Sequence, residues 1–209
     1  DRAFTIKQGG IIHVEYGVKQ NDSYLSEGLE PVTVEFGGSG SGDSVNYGDV
    51  PQALNHTQRT ISMWVYRNAL GAASTVQVMY GGLSDKSGIA IYTKENYSQI
   101  EFQVKTSGQQ GVWETANGLL TAGSWHHVLY TFNSATLTPV CYLNAVSRTI
   151  TEALGITGTF NDETGINLVI GNENTVVYPN TLPFDGKIFD VRIYNRILTA
   201  AEVTTLYNA

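Results

Sequence analysis

Apolar and polar positions alternate in short runs along this chain, and most runs end in a cluster of Gly, Asn, Asp or Ser. Ile100, Phe102 and Val104 alternate with Glu101, Gln103 and Lys105, the period-two mark of a strand with one buried and one wet face. The same reading predicts strands at 4–7, 11–16, 32–36, 44–47, 60–67, 76–80, 89–93, 100–105, 112–115, 126–133, 139–143, 148–154, 167–170 and 187–194. In the last of these, Phe189, Val191 and Ile193 alternate with Asp190, Arg192 and Tyr194, which predicts one buried face. A helical signal stands out once. Thr199-Ala-Ala-Glu202 has the form of a capping box, and Val203, Leu206 and Tyr207 follow at helical spacing. Many short strands between turn clusters predict an all-β, two-sheet antiparallel jelly-roll sandwich with one short C-terminal helix.

Composition narrows the function classes. The 209 residues suit one domain, and 42% hydrophobic residues with 11% aromatics supply a sizeable core. Charged residues make up only 15%, against roughly 25% in an average soluble domain. Ser, Thr, Asn, Gln and Gly take their place, a surface that suits neutral polar ligands such as sugars and equally suits plain solubility. The net charge of −7 and the absence of Lys/Arg clusters point away from nucleic acid. No apolar stretch of about 18 residues is present, so membrane insertion is not expected. Cys141 is the single cysteine, which excludes an intrachain disulfide; in the apolar run Val140-Cys-Tyr-Leu143 it reads as a small buried hydrophobe. A chain without disulfides fits a bacterial secreted or viral protein better than an animal matrix protein. Beginning at Asp1 rather than Met, it reads as a processed or excised piece.

Five segments, in order along residues 32–207, carry a resemblance. They are Val34-Glu-Phe-Gly-Gly with Asp43-Ser-Val-Asn-Tyr47, Thr60-Ile-Ser-Met-Trp-Val-Tyr66, Trp125-His-His-Val128, Tyr142-Leu-Asn-Ala-Val146, and the closing Phe184-Asp-Gly strand with its capped helix. Together they resemble the laminin-G-like and pentraxin-like domains of the concanavalin A-like lectin/glucanase superfamily. The resemblance implies the sandwich architecture strongly and a function only loosely. It covers 32–209 as the jelly-roll domain and leaves 1–31 as N-terminal strands or an extension, a candidate contact segment.

For catalysis, glucanases of this superfamily use a Glu-x-Asp-x-x-Glu strand, and a retaining mechanism holds two carboxyls about 5–5.5 Å apart. That spacing is absent here, and Asp162-Glu163 would point to opposite faces of a strand. No enzyme is expected. His126-His127 lacks the spacing of a zinc site and is implied by the resemblance to be structural. Calcium is the implied metal, since its roughly six to eight oxygen ligands come naturally from Asp/Asn/Gly loops. By resemblance its candidates are Asp43, Asp185 and Asp190. Gly37 and Phe189 stand where the family pattern carries further aspartates, and Asp43 and Asp185 also read as ordinary turn residues.

A glycan site needs an exposed aromatic platform with amides or carboxylates to read hydroxyls. Trp113, after the loop 107–111, is one platform candidate; Asn172, Asn174 and Tyr178, in the polar loop before the closing strand, form the other. Trp113 as a mere cover of the sheet edge is the competing reading, and Trp64 and Trp125 are expected in the core. Asn21, Asn55 and Asn96 begin glycosylation triplets at a frequency chance explains. The expected function is therefore a non-catalytic extracellular recognition module, carbohydrate-binding, with calcium dependence left open by the residues. Its partners would be a glycan or glycoprotein surface, with identical subunits or a larger parent protein as further candidates. The alternative is a structural or adhesive subunit of a viral assembly (phage fibre or capsid decoration) or an extracellular filament. Either places it secreted, surface-attached or virion-exposed.

Overall fold

A computed structural model describes residues 2–7, 11–16, 33–38, 43–50, 54–69, 76–84, 87–94, 98–107, 109–160, 162–172 and 182–209, the first two segments by backbone course. Fifteen strands are seen among them: β1 (Arg2–Lys7), β2 (Ile11–Tyr16), β3 (Val34–Gly37), β4 (Val45–Asp49), β5 (Gln58–Arg67), β6 (Val76–Gly81), β7 (Gly88–Lys94) and β8 (Ile100–Lys105). They continue as β9 (Gln110–Thr115), β10 (Trp125–Asn133), β11 (Thr138–Leu143), β12 (Val146–Arg148), β13 (Ile150–Leu154), β14 (Asn167–Ile170) and β15 (Asp185–Tyr194), followed by helix α1 (Ala200–Tyr207). One sheet runs β12-β11-β10-β5-β15-β1-β2, with β3 also on β15; the other runs β13-β9-β8-β7-β6-β14-β4. The long strand β15 meets β5 on one side, while β3 and β1 share its other side at opposite ends. This is the expected antiparallel two-sheet sandwich.

Alternation decides which side chains fill it. Ile61, Met63 and Val65 of β5 and Val128, Tyr130 and Phe132 of β10 point inward from the eight-stranded sheet. Ile89, Ile91, Phe102, Val104 and Trp113 answer from the seven-stranded sheet. Cys141 lies buried beside Tyr130, as expected, and burial pushes its thiol up to about 12. Arg59 and Glu163 form an ion pair deep in the same core, with the Arg59 guanidinium 5.1 Å from the Phe160 ring centroid. Asn55 fastens the loop carrying Glu163: its amide donates to Asp162 and Thr164 and its carbonyl accepts from the Glu163 N–H.

Two local differences from the sequence pattern matter. The single strand expected at 148–154 is two strands in different sheets. Arg148 pairs with Cys141 and Ile150 with Thr115, so the chain crosses between sheets at Thr149. In β15 the register jumps from Phe189↔Trp64 to Arg192↔Ser62, three residues against two, which makes a β-bulge. Asp190 takes the positive φ of 49° that the bulge requires. Val191 and Ile193 face the core, but Phe189 lies across from Trp64 on the outer face, against the simple alternation.

The helix forms as the capping box predicts. Thr199 Oγ1 accepts the Glu202 N–H at 3.3 Å, and Glu202 Oε2 accepts the Thr199 N–H at 2.8 Å. Arg196 adds a bidentate contact to Glu202 at 2.9 and 2.7 Å and is the main reason its carboxyl falls to about 2. Val203 packs with Leu129 and Leu198, so α1 covers part of the outer face of the eight-stranded sheet. No helix among the described residues is long and apolar enough to cross a membrane.

Candidate functional site

Trp113, expected as a glycan platform, faces inward. Trp113 is only 5% exposed and packs at 6.3 Å on Phe102 inside the sandwich. Gln110, Val112 and Glu114 take the outward positions of β9, which forces Trp113 inward. Asn172 is fully buried as well. Its amide donates to the Asp43 carbonyl at 3.1 Å, and its carbonyl accepts from the Leu182 N–H at 3.2 Å. It pins two loops together and presents nothing to a ligand. Asn174 and Tyr178 lie outside the described residues.

The three metal candidates divide. Asp43 and Asp185 meet at one corner, where Gly37 donates its N–H to Asp43 Oδ2 at 2.8 Å and pairs across the ladder with Asp185. Asn68 donates to Asp185 Oδ1 at 2.9 Å. Asp190 lies five residues further along β15 and is tied to Arg192 at 2.8 and 2.7 Å. Among the described residues no group of three or more His, Cys, Asp or Glu side chains converges as a metal site.

What the structure does assemble is an aromatic cleft on the outer face of the eight-stranded sheet. Its volume is about 390 Å³, and Thr33, Trp64, Trp125 and Phe189 line it among the described residues. The three rings come from adjacent strands: Trp125 from β10, Trp64 from β5 and Phe189 from β15. Trp125 is 40% exposed. It is nonetheless braced, tilted on Tyr66 at 5.6 Å and edge-on to Phe189 at 6.3 Å. Trp64 stacks on Tyr207 of α1 at 5.4 Å with 20° between the planes. These contacts fix the rings before any ligand arrives, at little remaining entropy cost.

Beneath the cleft, His127 has one ring nitrogen engaged and its buried Nδ1 without a hydrogen-bond partner among the described residues. His127 touches Trp64 at 5.2 Å and Tyr207 at 5.9 Å, and its Nε2 lies 2.8 Å from Ser62 Oγ. Burial lowers its pKa to about 4, so at neutral pH it is an uncharged spacer. His126 is also lowered by burial and contacts Thr121. The structural role expected of both histidines matches these contacts.

Trp113 is thus buried and Trp125 exposed, the reverse of the expectation from sequence, and the signal for this was present. Val128, Tyr130 and Phe132 share one parity in β10, which leaves Trp125 on the other. Ile61, Met63 and Val65 do the same in β5 and leave Trp64 and Tyr66 with Thr60 and Ser62 on the outer face. Phe189 needed the bulge and could not be found that way.

No match to the sequence is found among curated proteins. Among solved structures, the carbohydrate-binding module CBM40 of the Ruminococcus gnavus IT-sialidase, bound to α2,3-sialyllactose, aligns with a TM-score of 0.61 at 15% identity. That alignment covers 85% of this chain and 96% of that one. The binding domain of Paraclostridial Mosquitocidal Protein 1 aligns at 0.66 and 17% identity, over 99% of this chain and 52% of that one. A native heptameric SAP-like pentraxin from Limulus polyphemus aligns at 0.53 and 12%, over 99% and 82%. At such identities the likeness is one of fold. Sequence adds the rest: a laminin G family model described as concanavalin A-like lectin/glucanases superfamily matches residues 39–204, and the chain belongs to that superfamily.

Proposed function

We propose that this chain is a non-catalytic carbohydrate-recognition module of a secreted, surface or virion-exposed protein, and that it holds its glycan in the aromatic cleft. The observation that carries this is Trp125, a large, exposed and braced ring on a rigid sheet. Sugar rings present a face of C–H groups that stacks on such a surface, while the Thr33 hydroxyl is placed to meet a ligand hydroxyl. The CBM40 structure bound to sialyllactose supports glycan binding on this fold. The carboxylates support the absence of catalysis. Glu163 is buried against Arg59, and Glu101 and Glu114, opposite each other on β8 and β9, are both held by Lys94. Neither arrangement offers the two carboxyls flanking a substrate that hydrolysis requires.

The test is a glycan array followed by titration of the wild type and Trp125→Ala. Removing an anchoring ring should weaken binding at least about tenfold, a loss of roughly 1.4 kcal/mol or more. Because Trp125 is half-exposed, the melting temperature should stay within about 2 °C. Unchanged affinity in the variant would end the proposal for this cleft.

Calcium is proposed at the corner where Asp43 and Asp185 meet, with neighbouring backbone carbonyls completing an oxygen shell. Asp190, engaged by Arg192, plays no part. Calcium at about a hundredfold over Kd should raise the melting temperature by roughly 5–10 °C. An equal response to magnesium, or one that survives Asp43→Ala, would remove the ion from the account. One observation favours the adhesive or structural alternative. The β1–β2 hairpin extends the eight-stranded sheet and, among the described residues, makes β2 its outer strand, an edge of the kind that pairs with another chain. A protein that remains monomeric in light scattering with and without residues 1–31 would argue against it.

A further inference from the structure

Lys187 places a charge beside the cleft, outside its lining. It lies two residues before Phe189 on β15 and pairs across the ladder with Tyr66, the ring that braces Trp125. Its Nζ sits 5.9 Å from the Tyr66 ring centroid, and its side chain is 38% exposed. Its partner is Glu35, at 3.9 Å and 66% exposed. A pair that long and that wet contributes little, so the ammonium can be taken over by a better-placed anion. The other charges nearby behave differently: Arg192 and Asp190 close on each other in a two-point contact. Among the described residues, Lys187 is therefore the cation beside the cleft that is held only loosely.

Resting on the reading of the cleft as a glycan site, we propose that it selects pyranoses that carry a ring carboxylate. The sugar face stacks on Trp125 and the carboxylate reaches the Lys187 ammonium over the edge of Tyr66. The whole-chain charge of −7 makes this selectivity local. Bulk electrostatics disfavour an acidic ligand here, so a preference for one has to come from a cation at the site. The chemistry is shared by hexuronates and by sialates, and the experiment separates the two sources.

The probes are oligosaccharides ending in glucuronate, galacturonate or sialate, each paired with its carboxyl-reduced counterpart, titrated at low and at physiological salt. Wild type should bind at least one acidic member several-fold tighter than its reduced twin, about fivefold at low salt, with the ratio shrinking as salt rises. Which arm shows the ratio identifies hexuronate or sialate. Lys187→Gln should bring the ratio to one while leaving the reduced glycan bound as before, and Lys187→Arg should restore it. Trp125→Ala should weaken both members together. Equal binding of acidic and reduced glycans by the wild type overturns the carboxylate selectivity and leaves the glycan reading standing. A preference that survives Lys187→Gln overturns the assignment to Lys187. Loss of neither member in Trp125→Ala overturns the cleft itself.

Discussion

The two sheets share one architecture and differ in what their outward faces leave exposed. On the eight-stranded sheet, exposed Trp125 and half-buried Trp64 and Phe189 line a cleft, with α1 covering the neighbouring apolar ground. On the seven-stranded sheet, the outward positions of β8 and β9 join Lys94 of β7 in a polar chain, beside a small buried apolar cluster of Val78, Leu83, Ala90 and Tyr92. Lys94 binds Glu101 and Glu114, Gln103 donates to Glu101, and Gln110 donates to Gln103 at 2.7 Å. Each group of that polar chain bonds to a neighbour within it. On the first face, among the described residues, Trp125 keeps 40% of its surface exposed. Exposed apolar surface on a rigid support is where binding free energy is available; a satisfied polar network has less to give a ligand, because each new bond replaces an old one.

The two tryptophans give the sharpest way to break this comparison. Trp113→Ala empties a core position and should cost about 3–5 kcal/mol of stability, read from denaturant unfolding, without a specific effect on any glycan. Trp125→Ala should do the reverse. If both changes lowered stability alike, the outer face of the eight-stranded sheet would be structural surface and nothing more. Next in size is the buried pair. Measured at about pH 8, where Glu163 is ionised, Glu163→Gln leaves Arg59 without its counter-charge in the core and should destabilise by roughly 3–5 kcal/mol, again seen in unfolding.

The pH profile provides a finer measurement. Burial lifts Glu163 from 4.5 to about 7, despite Arg59. The folded protein therefore keeps that proton where the unfolded chain has lost it, and this contribution is full below 4.5 and lost as pH rises through 7. Burial lowers His127 from 6.5 to about 4, so its contribution is full above 6.5 and lost as pH falls through 4. The two slopes oppose each other over most of the mildly acid range. Glu163→Gln removes one of them, and its melting temperature should then rise steadily with pH from about 4 to 6.5. A flat profile in that variant would mean that His127 is solvated. The smallest expected effect belongs to the polar face: Lys94→Met should change stability by no more than about 1 kcal/mol and leave glycan affinity untouched.

Much of this molecule was legible in its sequence, and what escaped did so for physical reasons. Strand positions followed from alternation, as at Ile100, Phe102 and Val104, and the helix from one capping box, because both signals are local. The crossing at Thr149 was hidden, since Arg148 and Ile150 read as neighbours in one strand although they pair in different sheets. The bulge at Asp190 was hidden for a related reason. One extra residue on β15 is visible only against β5, and it turns Phe189 outward. The candidate site suffered most. Exposure of an aromatic depends on which parity the opposing sheet covers, a long-range fact. Trp113 looked accessible because a polar loop precedes it, yet Gln110 and Glu114 take the wet face of its strand. Asn172 looked like a polar reader of ligand hydroxyls and proved to be a buried fastener of two loops.

The most direct measurement is the response of the three indole N–H signals in a ¹⁵N-labelled sample titrated with the tightest glycan from the array. Burial of a ligand in the cleft should move the signals of Trp64 and Trp125 and leave Trp113 in place. Movement confined to the Gln103 and Gln110 amides, with both cleft indoles unchanged, would put recognition on the opposite sheet and contradict the account.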